Sequence, residues 1–305
     1  MGKVLTGTAS WTDPTLLASG WYPPEADSAE ERLRYYAQRF PLVEVDSSYY
    51  GLPAEQTAML WADRTPVEFT FDVKAFRLLT GHPTPKKALP KDIRESLPAG
   101  AADKTNVYAK DLPPEVVREV WQRFIRALMP VHSAGKLGAI FLQYPKWFFF
   151  GQDSMSRIAE AREHAPDYAL AVEFRNPTWL SERNADRTLD FLRDQGIAYT
   201  SVDEPQGTAA SVPPLAAATS DLAVVRFHGR RAETWDKPNV GVEERFRYLY
   251  TESELAEWVP KIEKLQAETR EVHVLMNNCY ADFGVRNAAQ LGQLLLQAEK
   301  PVGTA

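Results

Sequence analysis

Cysteine is nearly absent. Cys279 stands alone among 305 residues, which excludes a disulfide framework and any zinc site built on thiolates. Histidine is scarce as well: His82, His132, His164, His228 and His273 are scattered, with no HExxH spacing to offer a His-based zinc site. The chain has no GxGxxG, no Walker A sequence, no nucleophile elbow and no HExxH, so nucleotide-cofactor and zinc-protease readings lapse. Long apolar runs are missing too. The longest compact patch, Trp147 to Phe150, falls far short of the roughly 20 residues of a membrane span. Met1-Gly-Lys-Val-Leu carries no apolar core of signal-peptide length, and a cytoplasmic protein with no membrane partner is expected. Positive charge is also in deficit. Lys and Arg number 35 against 41 for Asp and Glu, a net charge of −6, so any anion-binding surface must be local.

What is present suits a large packed core: 44% of residues are hydrophobic and 25% charged. Strand-like runs recur at 4–10, 42–50, 68–76, 137–145, 168–176, 198–204, 222–230 and 271–278, rich in Val, Ile, Phe, Tyr and Leu. Helical periodicity fills the intervals. Ser28 and Glu31 form a capping box ahead of Leu33, Tyr36, Ala37 and Phe40. Asp111 is expected to cap a helix with the stripe Val117, Trp121, Phe124 and Leu128. Thr251 and Glu254 form a second box, and Pro260 should kink the helix that follows. Gly196 closes another helix, and the Pro-rich stretch 211–220 reads as a shortened sixth helix. Strands alternating with helices pair in parallel, and eight such units favour a single α/β domain of the (β/α)₈ TIM type over residues 1–305. Long connections follow strands three and seven. The segment at about 77–112 shows no core pattern and reads as a lid, a binding loop or a disordered excursion.

Side chains alternate along a strand, so parity sorts those facing the helices from those facing the barrel axis. Leu170, Val172 and Phe174 take the outer parity and leave Glu173 and Arg175 inside. The same rule sends Glu44, Asp46 and Ser48, then Asp72 and Lys74, then Arg226, His228 and Arg230 inward. Thr8, Ser10, Gln143, Asp203 and Asn277 are assigned there likewise. Charge of this density is costly to bury unless paired and marks a functional mouth more often than a self-satisfied network.

Several of these stretches carry a family resemblance. Gly7-Thr-Ala-Ser-Trp11, Val43-Glu-Val-Asp-Ser-Ser-Tyr-Tyr50, Phe71-Asp-Val-Lys-Ala75, Val172-Glu-Phe-Arg-Asn-Pro-Thr-Trp179, Arg226-Phe-His-Gly-Arg230 and Asn277-Asn278 run nearly end to end. Together the sequence resembles domain-of-unknown-function family 72, the YecE-like proteins. The resemblance implies a TIM-type barrel and supplies no activity. Asp46 stands where the family pattern usually has Asn, Tyr49 where Phe is typical, and Leu79-Thr-Gly-His82 has one residue more between Thr and His.

The expected chemistry is acid/base work on a small, hydrophilic, anionic ligand such as a sugar phosphate. Glu173 is the expected base with Asp203 as partner. Lys74 is an electrophile, a Schiff-base amine or, by preference, a counter-ion to Asp72 or Glu44, and His228 is an acid/base group or a hydrogen-bonded core histidine. Ser10, Trp11, Glu44, Asp46, Gln143, Arg175, Arg226, Arg230, Asn277 and Asn278 are the expected ligand-binding set. Arg231, Arg245 and Arg247 add to an anion site on the loops after strands seven and eight. Arg226 also reads as the partner of Glu173 or Asp203. No cofactor is predicted, although Glu44, Asp46, Glu173 and Asp203 offer oxygen ligands for Mg²⁺ or Mn²⁺. Aromatic residues near the mouth, Tyr49, Tyr50 and Trp147 among them, suit the stacking of sugars or bases, with packing as the default for each. Two other classes stay open: a phosphodiester-binding barrel resembling apurinic-site endonucleases, which the net charge disfavours, and a non-catalytic ligand-binding protein.

Overall fold

The computed structural model describes residues 1–237 and 239–298. Eight strands form a closed parallel barrel in the order β1-β8-β7-β6-β5-β4-β3-β2. They are β1 (Lys3–Thr8), β2 (Leu42–Val45), β3 (Thr70–Lys74), β4 (Leu137–Gln143), β5 (Leu170–Glu173), β6 (Ala198–Asp203), β7 (Leu222–Phe227) and β8 (Glu271–Met276). The main helices are α1 (Ala29–Ala37), α2 (Glu55–Asp63), α3 (Pro114–Ser133), α4 (Gln152–His164), α5 (Ala185–Asp194), α6 (Val259–Glu268) and α7 (Phe283–Ala298). This is an α/β barrel of the TIM type. Its residues cluster into two compact units, one of Met1–Glu44 with the described residues from Ala198 onward, the other of Val45–Ile197.

In the first unit, Gly7 is required by close approach, since a Cβ there would lie 2.0 Å from the Leu42 carbonyl oxygen. Register sets the faces. Thr8 lies beside Met276, Met276 beside Phe227, and Phe227 beside Asp203. Neighbours at one level of a parallel sheet share a face. Phe227 meets the rings of Tyr250 and Trp258 in the outer layer. Thr8 and Asp203 therefore face the helices, against the parity assigned to them, while Gly7, Leu275, Arg226 and Val202 occupy the inner level. Thr8 Oγ1 shares a hydrogen bond with Tyr36 Oη of α1 at 2.8 Å, and long-range partners of this kind make polar side chains tolerable on the outer face. Both capping boxes form as expected, at Ser28/Glu31 and Thr251/Glu254. Residues 211–219 contain no helix. The chain breaks before Pro260, which sits in the first turn of α6 instead of kinking a longer helix.

In the second unit, Phe71 stacks on Trp61 of α2, which leaves Asp72 and Lys74 on the opposite face. Lys74 lies level with Phe141, Phe141 with Ala171, and Gln143 with Glu173. Strand β2 ends at Val45 and passes into a tight turn at Ser47–Tyr49. Ser48 consequently leaves the strand alternation and donates to the carbonyls of Val45 and Lys74 at 2.8 and 2.6 Å. Gly196 adopts φ +60 after α5, the left-handed helix stop that glycine favours. The segment after β3 is structured. Thr84–Pro85 pairs with Asn106–Val107, two short helices span Lys91–Glu95 and Ala99–Ala102, and Leu89, Ile93, Ala101, Val107 and Leu112 are buried. Arg123 of α3 clamps Asp92 through both terminal nitrogens, at 2.9 and 2.5 Å. Asp111 closes this segment, accepting from Tyr108 N and Lys104 Nζ, and Pro113 takes the cap of α3 expected of Asp111.

Candidate active site

The turn after β2 places the Tyr49 ring against the end of β3, and three side chains gather on it. Lys74 Nζ lies 4.9 Å from the ring centroid, the Arg77 guanidinium carbon 5.1 Å, and the His82 ring meets it edge-on at 5.3 Å. Lys74 Nζ donates to Asp46 Oδ1 at 2.6 Å, a carboxylate other than the Asp72 or Glu44 expected as its counter-ion. Glu173 is fully buried, and its Oε1 accepts from Gln143 Nε2 and pairs with Arg175 Nε, each at 2.6 Å. Two donors of different charge thus fix the carboxylate in place. Arg77 has an aromatic face beside it, and its Nε is buried with no hydrogen-bond partner among the described residues.

His82 records the local field. Burial, then the positive charges of Lys74, Arg77 and Arg175, push its pKa down to about 3. The imidazole is therefore neutral near pH 7, with Nδ1 at 2.9 Å from Thr80 Oγ1. Burial pushes the Tyr49 phenol up to about 12, so it stays protonated there. The neutral His82 and Tyr49 thus stand beside three cations, of which Lys74 and Arg175 are already paired with Asp46 and Glu173.

The expected anion site on the loops after β7 and β8 is different in kind. Four of its arginines are paired with carboxylates, and Arg245 meets a backbone carbonyl. Arg226 pairs with Glu44 at 2.9 Å, both fully buried. Arg230 binds Asp203 and Glu257 at 2.7 Å each, and Arg231 binds Glu244 at 2.5 Å. Arg247 also reaches Glu244, at 3.5 Å, and Arg245 donates to the Lys237 carbonyl at 3.1 Å. Asp203 further accepts from Tyr250 Oη at 2.7 Å and Trp258 Nε1 at 2.6 Å, so it and Arg230 anchor the outer layer beside a cleft of about 360 Å³. Asp203 thus faces the outer layer, not the inward side expected of it.

His228 is buried beside Trp235 and Phe246, and its Nδ1 lies 2.8 Å from the Asn277 side-chain amide. This geometry fits the core-histidine reading. Asn278 ties the Tyr248 carbonyl to Asn287 at 2.8 and 2.9 Å, a structural duty. Ser10 Oγ accepts from Thr12 N in a local turn, and Trp11 lends its carbonyl to Tyr22 Oη. Glu44, Asp46, Glu173 and Asp203 are each paired with a separate cation. Among the described residues no three His, Cys, Asp or Glu side chains form a metal-ligand set.

Sequence reasoning missed Arg77 and set His82 aside. One signal was available, since Arg77 closely follows Lys74 as the chain leaves β3; the structure adds a hydrogen bond from His82 N to the Arg77 carbonyl at 3.0 Å.

A family model described as "Protein of unknown function DUF72" matches residues 5–305. The UPF0759 protein YunF of Bacillus subtilis is 30% identical over 296 residues, spanning 96% of this chain and 94% of its own. Among solved structures, a DUF72 family protein from Enterococcus faecalis superposes with a TM-score of 0.78 at 24% identity, covering 99% of both chains. Another, from Thermotoga maritima, gives 0.74 at 28% identity, covering 96% of this chain and 99% of that one. Among the described residues no helix is long and apolar enough to cross a membrane.

Proposed function

The chain belongs to the DUF72 family of proteins of unknown function, and on that premise we propose from its own side chains that it is an enzyme doing acid/base chemistry on a small, hydrophilic anion such as a sugar phosphate. The observation that carries this reading is the gathering of Lys74, Arg77 and His82 on one tyrosine ring, with Arg175 linking that group to the buried Glu173. Arg77 supplies the guanidinium for the anion, because its Nε is left without a hydrogen-bond partner among the described residues. Glu173 is the proposed general base: it takes a proton from the ligand, and the electron pair left behind faces the Lys74 ammonium. Asp203 has no part in this scheme, since its carboxylate is committed to Arg230, Tyr250 and Trp258.

Calorimetry with inorganic phosphate and a panel of sugar phosphates, joined to turnover assays, tests the assignment. Arg77→Met should weaken phosphate binding about tenfold or more, the worth of one charge-assisted hydrogen bond. Glu173→Gln should keep the affinity and lose turnover. Unchanged affinity in Arg77→Met would remove the anion site. Binding without turnover in the unaltered chain, across the panel, would make it a ligand-binding protein instead.

A further inference from the structure

We infer that Trp147 is the specificity-determining platform of this site, and that the anion it serves is carried on a sugar ring stacked against the exposed indole. The inference rests on the anion-binding reading above and adds the class of the ligand. Three aromatic side chains among the described residues stand exposed: Tyr50 at 53%, Trp147 at 47% and Phe149 at 58%. All three lie on the connections that follow β2 and β4 in one compact unit. Trp147 meets the His82 ring at 6.1 Å, and Tyr50 stands edge-on to Tyr49 at 5.1 Å. Two of the exposed rings, Trp147 and Tyr50, are thus contiguous with the two side chains around which the cations gather.

The exposure of Trp147 is built in. Its neighbour Phe148 is buried, stacked between Tyr144 at 4.1 Å and Trp179 at 5.5 Å, and the Phe148 carbonyl accepts from Trp179 Nε1 at 2.7 Å. On the other side, the Lys146 carbonyl accepts from Asn176 Nδ2 at 2.7 Å. Both flanks are pinned, so the indole is held at the surface without help from a ligand. Such preorganisation lowers the ordering cost of binding.

The polar groups favour a hydroxylated ring over a flat base. Asp46 gives one oxygen to Lys74 and remains partly exposed, with side-chain accessibility of 28%. That arrangement leaves an acceptor suited to a hydroxyl, while the C–H face of a sugar lies well on an indole and its phosphate meets Arg77 and Lys74.

Calorimetry on the full chain, with glucose 6-phosphate, glycerol 3-phosphate, adenosine monophosphate and inorganic phosphate as probes, decides it. The unaltered protein should bind glucose 6-phosphate about tenfold more tightly than the two ring-free anions. Trp147→Ala should bring that ratio to about twofold or less, with inorganic phosphate unaffected, and Trp147→Phe should keep most of it. An unchanged ratio in Trp147→Ala overturns the platform. A larger gain for adenosine monophosphate, lost in Trp147→Ala, overturns the sugar in favour of a base. Failure of the unaltered chain to bind inorganic phosphate strikes the anion site itself, whereas intact phosphate binding with no ring preference strikes only this inference.

Discussion

His82 is the residue through which the site's field can be measured. Its imidazole meets Tyr49 and Trp147, touches Thr80, and is raised in potential by Lys74, Arg77 and Arg175. An ordinary histidine takes up its proton near pH 6.5, and this one is held down to about 3. On acidification the unfolded chain therefore binds the proton first. The stability associated with a neutral His82 is present above pH 6.5 and is lost as the pH falls towards about 3. At roughly 1.4 kcal/mol per pH unit the loss should amount to a few kcal/mol, with solvent screening reducing it. A histidine NMR titration should find His82 unprotonated down to about pH 4, and inorganic phosphate should raise its midpoint by offsetting the neighbouring cations. A midpoint near the ordinary histidine value in the free protein would mean that neither burial nor the three cations act on this ring as the structure has them.

At the scale of elements, short-range signals were legible and faces were only partly so. The Ser28 box needs nothing beyond its own turn: Ser28 Oγ accepts from Glu31 N at 3.1 Å and Glu31 returns a carboxylate to Ser28 N at 3.0 Å. Ser28→Ala should cost about 1 kcal/mol in urea unfolding, and a loss below about 0.3 kcal/mol would show that packing of Leu33 and Tyr36 alone holds α1. Strand faces follow the same logic where polar and apolar residues alternate cleanly. Parity placed Lys74, Gln143 and Glu173 on one face, as the register does. It failed on β1 and β6, because Thr8 and Asp203 are polar residues on the outer face. Their partners, Tyr36 for one, Tyr250 and Trp258 for the other, come from distant parts of the chain. Local pattern carries no trace of such pairings. The segment after β3 was opaque for a related reason. Its small core is assembled from Leu89, Ile93, Ala101, Val107 and Leu112, spaced to suit neither helical nor strand period.

Across the whole molecule, a net charge of −6 contrasts with a local gathering of Lys74, Arg77 and Arg175. Long-range attraction of a polyanion needs a field of one sign over an extended surface, and an acidic protein repels the phosphates that lie outside its cationic patch. A small anion feels chiefly the patch. The two ligand classes therefore respond differently to salt. A duplex neutralised by 6–10 cationic contacts would lose about 10³–10⁵ in affinity between 50 and 200 mM salt. A sugar phosphate held by two or three cations should lose about tenfold or less over the same range. We expect that shallow dependence for glucose 6-phosphate, with duplex DNA failing to bind measurably at 200 mM. Should DNA instead bind tightly at low salt with the steep slope, the cations at Tyr49 would be part of a longer phosphodiester track, and the small-molecule reading of the site would give way.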